Sequence, residues 1–145
     1  MTEQATQTMT IAASPERILE VLLDFDAYPT WAHDLKGVTV ESRDKKGRAK
    51  EVTFRAAAMG RSTSYTLHYH YEKKPIRMSW ELVRGDIMRD ILGSYLLEPV
   101  GDDRTDVTYD LTVDLVVPLP GFVKRRAESR IINTALQQLK DRLER

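Results

Sequence analysis

The chain contains no cysteine in its 145 residues. That excludes disulfides, thiolate metal ligands and a cysteine nucleophile, and secretion gains no support from that side. Neither charge is in excess: Lys+Arg and Asp+Glu are both 22, for a net charge of zero. A dedicated nucleic-acid binder would carry a basic footprint, so no nucleic-acid partner is expected. No apolar run approaches the roughly 20 residues that span a bilayer. The polar stretch Met1 to Thr8 lacks the apolar segment of a secretory signal, so a cytoplasmic location is expected. Glycine-rich phosphate loops are missing as well, and no cofactor is implied.

What is present reads as one domain over residues 1–145, long enough to bury roughly 70% of its unfolded surface. Gln4 to Ala13 alternates weakly, as a first strand. Ser14-Pro15-Glu16 then opens a helix, with Ser14 as cap and Pro15 in the first turn. Ile18, Val21, Leu22 and Phe25 follow at helical spacing. Asp26 is placed to cap a second short helix that presents Tyr28 and Trp31, two aromatics that so short a segment cannot bury by itself.

From Leu35 the period changes from 3.6 to 2. Strands are expected over Leu35 to Arg43, Arg48 to Ala58, around Tyr65 to Tyr71, around Ile76 to Leu82, Met88 to Val100 and Val107 to Val117. Turns at Asp44 to Gly47, Met59 to Arg61, Lys73 to Pro75, Gly85-Asp86 and Gly101 to Asp103 separate them. Clean alternation marks an antiparallel sheet covered on one side only. Its buried face is rich in aromatic residues: Phe54, Tyr65, Tyr69, Tyr71, Trp80 and Tyr109. Pro118 to Gly121 ends the last strand and launches a long helix to the C-terminus.

That helix has an apolar stripe on Ile132, Ala135, Leu136, Leu139 and Leu143. Traced towards its start, the same face carries Gly121, Arg125, Glu128 and Ser129, with Phe122 at its margin. Two readings are open: the polar half walls a cavity, or it projects past the sheet into water. Arg125 either pairs with Glu128 at i+3 or faces that cavity. The basic run Lys124-Arg125-Arg126, with Arg130, also admits a weak contact with an anionic membrane surface.

Catalytic machinery is not legible. His68 and His70 share one strand face at a spacing that can chelate a metal. A site needs a third ligand, and the alternation turns both towards solvent, so they read as surface residues and no metal site is expected. His33 has no sequence-local partner. Asp110 and Asp114 face away from the apolar side of their strand, and the register leaves Asp90 ambiguous.

Five segments in order resemble one family: Ser14-Pro15-Glu16; Asp24-Phe25-Asp26-Ala27-Tyr28-Pro29-Thr30-Trp31; Gly93-Ser94-Tyr95-Leu96-Leu97-Glu98-Pro99; Thr105-Asp106-Val107-Thr108-Tyr109; and Pro118-Leu119-Pro120-Gly121-Phe122. Together they resemble the helix-grip superfamily of steroidogenic-acute-regulatory-related (START) lipid-transfer domains and birch-pollen-allergen-like proteins. Within it the chain is most similar to the bacterial polyketide cyclase/dehydrase and coenzyme-Q-binding-like branch. The resemblance implies an α+β fold in which a curved antiparallel sheet of six to seven strands wraps a long C-terminal helix, with two short helices after the first strand. It also implies a cavity for a lipid, sterol, quinone or polyketide. Aromatase/cyclase members place an arginine and other polar groups in that cavity. Here Arg55 is followed by Ala56, Ala57, Ala58 and Met59, a departure that weighs against cyclase activity.

The expected ligand contacts are Tyr28 and Trp31 near the mouth and Phe54, Tyr65, Tyr69, Trp80, Tyr95 and Tyr109 on the sheet. Phe122, Arg125, Ser129 and Asn133 are expected on the helix, with no catalytic residue. The leading expectation is binding or transport of a hydrophobic small molecule by a monomer or homodimer. An aromatase/cyclase or dehydrase, and an interaction protein with a vestigial cavity, are the alternatives. For the interaction protein the candidate patch is Pro118 to Val123.

Overall fold

In a computed structural model, residues 5–58, 61–116 and 120–144 are described, without side-chain detail at Ala58 and Arg61. The chain opens with strand β1 (Ala5–Ile11) and helix α1 (Pro15–Leu23). As expected, the Ser14 hydroxyl caps α1, accepting from the Arg17 backbone N–H at 3.2 Å. A 3₁₀ turn, Phe25–Ala27, leads into the single-turn helix α2 (Tyr28–Trp31).

Asp26 does not cap α2. It lies inside the 3₁₀ turn, and Ala27 takes the cap position without a side-chain bond. Thr30 instead donates its hydroxyl to the Ala27 carbonyl at 2.6 Å.

Six strands follow: β2 (Leu35–Arg43), β3 (Ala49–Ala58), β4 (Arg61–Lys73), β5 (Ile76–Gly85), β6 (Met88–Pro99) and β7 (Thr105–Leu115). With β1 they form one antiparallel sheet of seven strands, ordered β1-β7-β6-β5-β4-β3-β2. Every neighbour from β2 to β7 is a sequential hairpin partner, so the register follows from turns, and only β1 crosses to pair with β7. Threonines tie that crossing: Thr6 and Thr10 donate to Asp110 and Asp106 at 2.6 Å, and Thr8 bonds to Thr108 at 2.9 Å.

Helix α3 (Gly121–Leu143) lies across the sheet's inner face. Its buried residues are Glu128, Ile132, Leu136, Leu139 and Leu143, so the apolar stripe read from the sequence is the packing face. They meet Ile11, Ile18, Leu22 and Val107, all fully buried, in the core. The C-terminal end is pinned by Glu144, whose carboxylate accepts from Ala12 N–H at 2.9 Å and from Lys140 at 2.7 Å. Lys140 and Arg142 sit in the last turn, where positive charge complements the helix dipole.

The Met59-Gly60 part of the expected third turn and the residues 117–119 lie outside the described residues. The fold is therefore the α+β arrangement expected, with seven strands, short helices after β1 and one long helix. No described helix is long and apolar enough to cross a membrane.

Candidate ligand cavity

Seven strands carry more inward-facing surface than one helix can cover. α3 packs closest to β1 and β7, at one side of the sheet. Towards β3 and β4 the concave face is left uncovered by α3, and a cavity of about 250 Å³ opens there. Its floor is aromatic. Trp80, Tyr95 and Tyr109 meet in a cluster with ring centroids 4.6–5.6 Å apart. One side is built from Phe54 stacked on Tyr65 at 5.6 Å; α2 contributes Tyr28 and Trp31, edge to face at 5.1 Å.

Gly93 permits the floor. It is the register partner of Trp80, and a Cβ built on it would sit 2.5 Å from the indole atoms. The indole therefore lies flat over the glycine, and the space above it stays open.

All eight expected contacts outside α3 line this cavity: Tyr28, Trp31, Phe54, Tyr65, Tyr69, Trp80, Tyr95 and Tyr109. Trp31 and Tyr28 are buried, the latter donating its hydroxyl to the Leu22 carbonyl. The hydroxyls of Tyr65, Tyr69, Tyr95 and Tyr109 make no hydrogen bond to protein among the described residues. Burial pushes the phenols of Tyr28, Tyr69, Tyr95 and Tyr109 well above their ordinary range and that of Tyr65 up to about 12, since a phenolate here would be cut off from water.

The four contacts expected on α3 do not line the cavity. Ile131, Thr134, Ala135 and Gln138 stand in their place. At about 100° per residue, that set is centred about 110° to one side of the Ile132–Leu136 packing stripe. Ser129, Phe122 and Asn133 fall about 60–100° to the other side. Phe122 is 64% exposed, and Asn133 accepts instead from Gln7 at 3.2 Å, bonding the helix to β1. Arg125 lies on the stripe but a turn beyond the cavity, and it is exposed.

Glu128 is the buried exception in that half of the helix. Its carboxylate accepts from the Val113 N–H at 2.7 Å, and Lys124 stands 3.4 Å from it and 3.6 Å from Asp114. Lys124, one turn before Glu128, thus supplies the ion pair seen here.

Thr134 and Gln138 are the polar residues of α3 that sequence reasoning missed; Thr63 on β4, missed as well, spends its hydroxyl on Asp86. The signal for the α3 pair was the i, i+3, i+4, i+7 set beginning at Ile131, beside the apolar stripe, but nothing in the sequence says which flank of the stripe faces empty space. Among the described residues, Asp34, exposed at the edge, is the only charged side chain on the lining. Arg55 is exposed and not part of it, as are His33 and Asp90.

Solved structures with the same architecture extend the comparison. A START superfamily protein from Mycobacterium smegmatis is 26% identical, with 97% of each chain covered and a TM-score of 0.91. The Zhui aromatase/cyclase from Streptomyces sp. R1128 is 15% identical, with 100% of this chain and 95% of that one covered and a TM-score of 0.86. A major latex-like protein from Panax ginseng is 12% identical, with 98% and 97% covered and a TM-score of 0.74. The last two show the fold alone. No curated protein matches the sequence. The profile of the family described as polyketide cyclase / dehydrase and lipid transport matches residues 2–144. With that match across nearly its whole length, on a fold that holds hydrophobic ligands, the chain belongs to the polyketide cyclase/dehydrase and lipid transport family of the helix-grip superfamily.

Proposed function

We propose that the protein binds and carries a neutral, lipophilic small molecule in this cavity, in the cytoplasm, without transforming it chemically. The observation that carries the reading is the cavity's lining. Its described walls are aromatic and aliphatic, with four tyrosine hydroxyls lacking protein partners among the described residues and, among those residues, no charged side chain except Asp34 at the exposed edge. These hydroxyls stay accessible, while the indole N–H of Trp31, another lining residue, is buried without a partner among the described residues; a ligand carrying a carbonyl, hydroxyl or ether would bond to such groups. Thr134 and Gln138 add polar anchors from α3.

A cyclase or dehydrase needs a proton acceptor or donor of suitable pKa within hydrogen-bond reach of the reacting atom. The cavity offers phenols held protonated by burial, which are poor acids and no bases at neutral pH. Aromatase/cyclase chemistry is therefore the weaker reading. An interaction protein would use exposed apolar surface; of the patch expected at Pro118 to Val123, Phe122 and Val123 are described with their exposure, and both are exposed.

Native mass spectrometry of the protein purified from its own host should show a co-purifying neutral small molecule. Titration adds a test of charge. Both tryptophans of the chain line the cavity, so intrinsic fluorescence reports occupancy. Decanol should bind at least about tenfold tighter than decanoate, because an unpaired carboxylate is costly to bury in an apolar site. Tighter binding of the carboxylate would overturn the assignment of a neutral ligand. A fluorescence response that survives Trp31→Phe but not Trp80→Phe places the ligand on the floor rather than at α2.

A further inference from the structure

The outer face of the sheet carries a second constellation, on the opposite side of β4 from the cavity. Along β4, Leu67 and Tyr69 point inward to the lining, so His68 and His70 alternate onto the outer face. Their rings stack with centroids 4.6 Å apart, 12° from parallel. Glu81 on β5 is the register partner of His68, and its Oε1 lies 3.0 Å from His70 Nε2. One donor atom from each of the three residues lies within 4.8 Å of the others. The third ligand that the strand alone lacks is thus provided across the hairpin.

We propose that His68, His70 and Glu81 bind a divalent transition-metal ion, zinc or copper, on the outer face of the sheet and apart from the ligand cavity. Two imidazole nitrogens with one carboxylate oxygen suit those ions, whereas magnesium and calcium take oxygen donors. Donor atoms around a tetrahedral zinc, each at about 2.0–2.1 Å from the ion, stand about 3.3 Å from one another. The His70–Glu81 separation of 3.0 Å already has nearly that span. His68 needs only a modest side-chain rotation to close the third edge.

The backbone beneath is fixed. The two histidines are two residues apart on one strand, and the ladder holds Glu81 opposite, so binding orders side chains and not the chain. On the other side of His68, its register partner on β3 is Glu51, a second carboxylate in the same row across three strands. A plain surface ion pair accounts for His70 and Glu81. It leaves unexplained why a second imidazole stacks beside them with a carboxylate on either flank.

Isothermal titration of the untagged chain with zinc chloride, and separately with copper sulfate, tests the site. One ion should bind per chain, and magnesium chloride should give no heat. Each of His68→Ala, His70→Ala and Glu81→Gln should weaken binding by about tenfold or more, with an unchanged far-UV spectrum because none of the three is fully buried. His33→Ala, the remaining histidine, should leave the isotherm unaltered. No zinc or copper binding, or binding that persists in His70→Ala, or binding that His33→Ala removes, would each overturn the assignment. The readout is the metal isotherm, independent of whether any molecule occupies the cavity.

Discussion

At Gly93 a single hydrogen atom sets the depth of the cavity. Its missing side chain lets Trp80 lie flat, and a Cβ there would stand 2.5 Å from the indole. Gly93→Ala should tip the indole inward, destabilising the fold by about 1–3 kcal/mol, the usual cost of overpacking. Affinity for decanol should fall with it. Urea denaturation and the fluorescence titration read the two effects separately; a variant with wild-type stability and affinity would mean that Trp80 has another resting place. Tyr65 allows a second residue-scale test. Its phenol is raised from 10.0 to about 12, so the folded chain holds this proton to higher pH than the unfolded chain does. The corresponding stability is fully present below about pH 10 and is lost as pH rises through about 12. Tyr65→Phe should flatten the fall of stability across that window. An unchanged slope would show that other groups dominate alkaline unfolding.

At the scale of the element, α3 behaves as two segments. Its C-terminal half is held by Ile132, Leu136, Leu139 and Leu143 in the core, while among the described residues of its first ten only Glu128 is buried. Glu128 therefore docks the first half of the helix onto β7 through the Val113 N–H. Glu128→Ala should cost about 1–3 kcal/mol, because that N–H loses its acceptor in a part-buried site. Glu128→Gln keeps an acceptor oxygen and should cost less. Equal losses in thermal or urea denaturation would mean that the charge near Lys124, and not the hydrogen bond, holds the helix. The element order was open to reading because the hydrophobic period changes from 3.6 to 2 near Leu35 and back after Pro120, and Ser14 caps α1 by a local bond. The polar wall of the cavity was not. Helical spacing locates the packing stripe of α3, but the flank turned to empty space depends on where the sheet curls away, which no local pattern encodes. Hence Ser129 and Asn133 were expected where Thr134 and Gln138 stand. His68 and His70 show the same limit: their shared face is a property of one strand, while Glu81 reaches them only through the pairing of two.

For the whole molecule, the balance of charge and the neutrality of the cavity lead in the same direction. With 22 residues of each sign and, among the described residues, only Asp34 charged on the lining, the described lining offers no charged partner for an ionic ligand deep inside. What the cavity offers instead is volume and unpaired hydroxyls. About 250 Å³ exceeds the roughly 150 Å³ of an engineered apolar cavity that stays dry and takes up benzene. Filling it restores dispersion contacts missing from the lining side chains. A molecule that binds only the folded chain must then raise its stability, by about 2.7 kcal/mol at a hundred times its Kd. For a chain of this length each kcal/mol is worth about 2–4 °C in Tm, so a saturating neutral ligand should raise Tm by about 5–10 °C. Arg125→Leu should leave that increment intact, since Arg125 does not line the cavity, whereas Gln138→Leu should change it for ligands bearing a hydrogen-bonding group. If decanol, sterols and quinones all leave Tm unmoved at concentrations well above the micromolar range, the cavity is vestigial. The exposed start of α3, with Phe122 and Val123, then becomes the surface through which the protein acts.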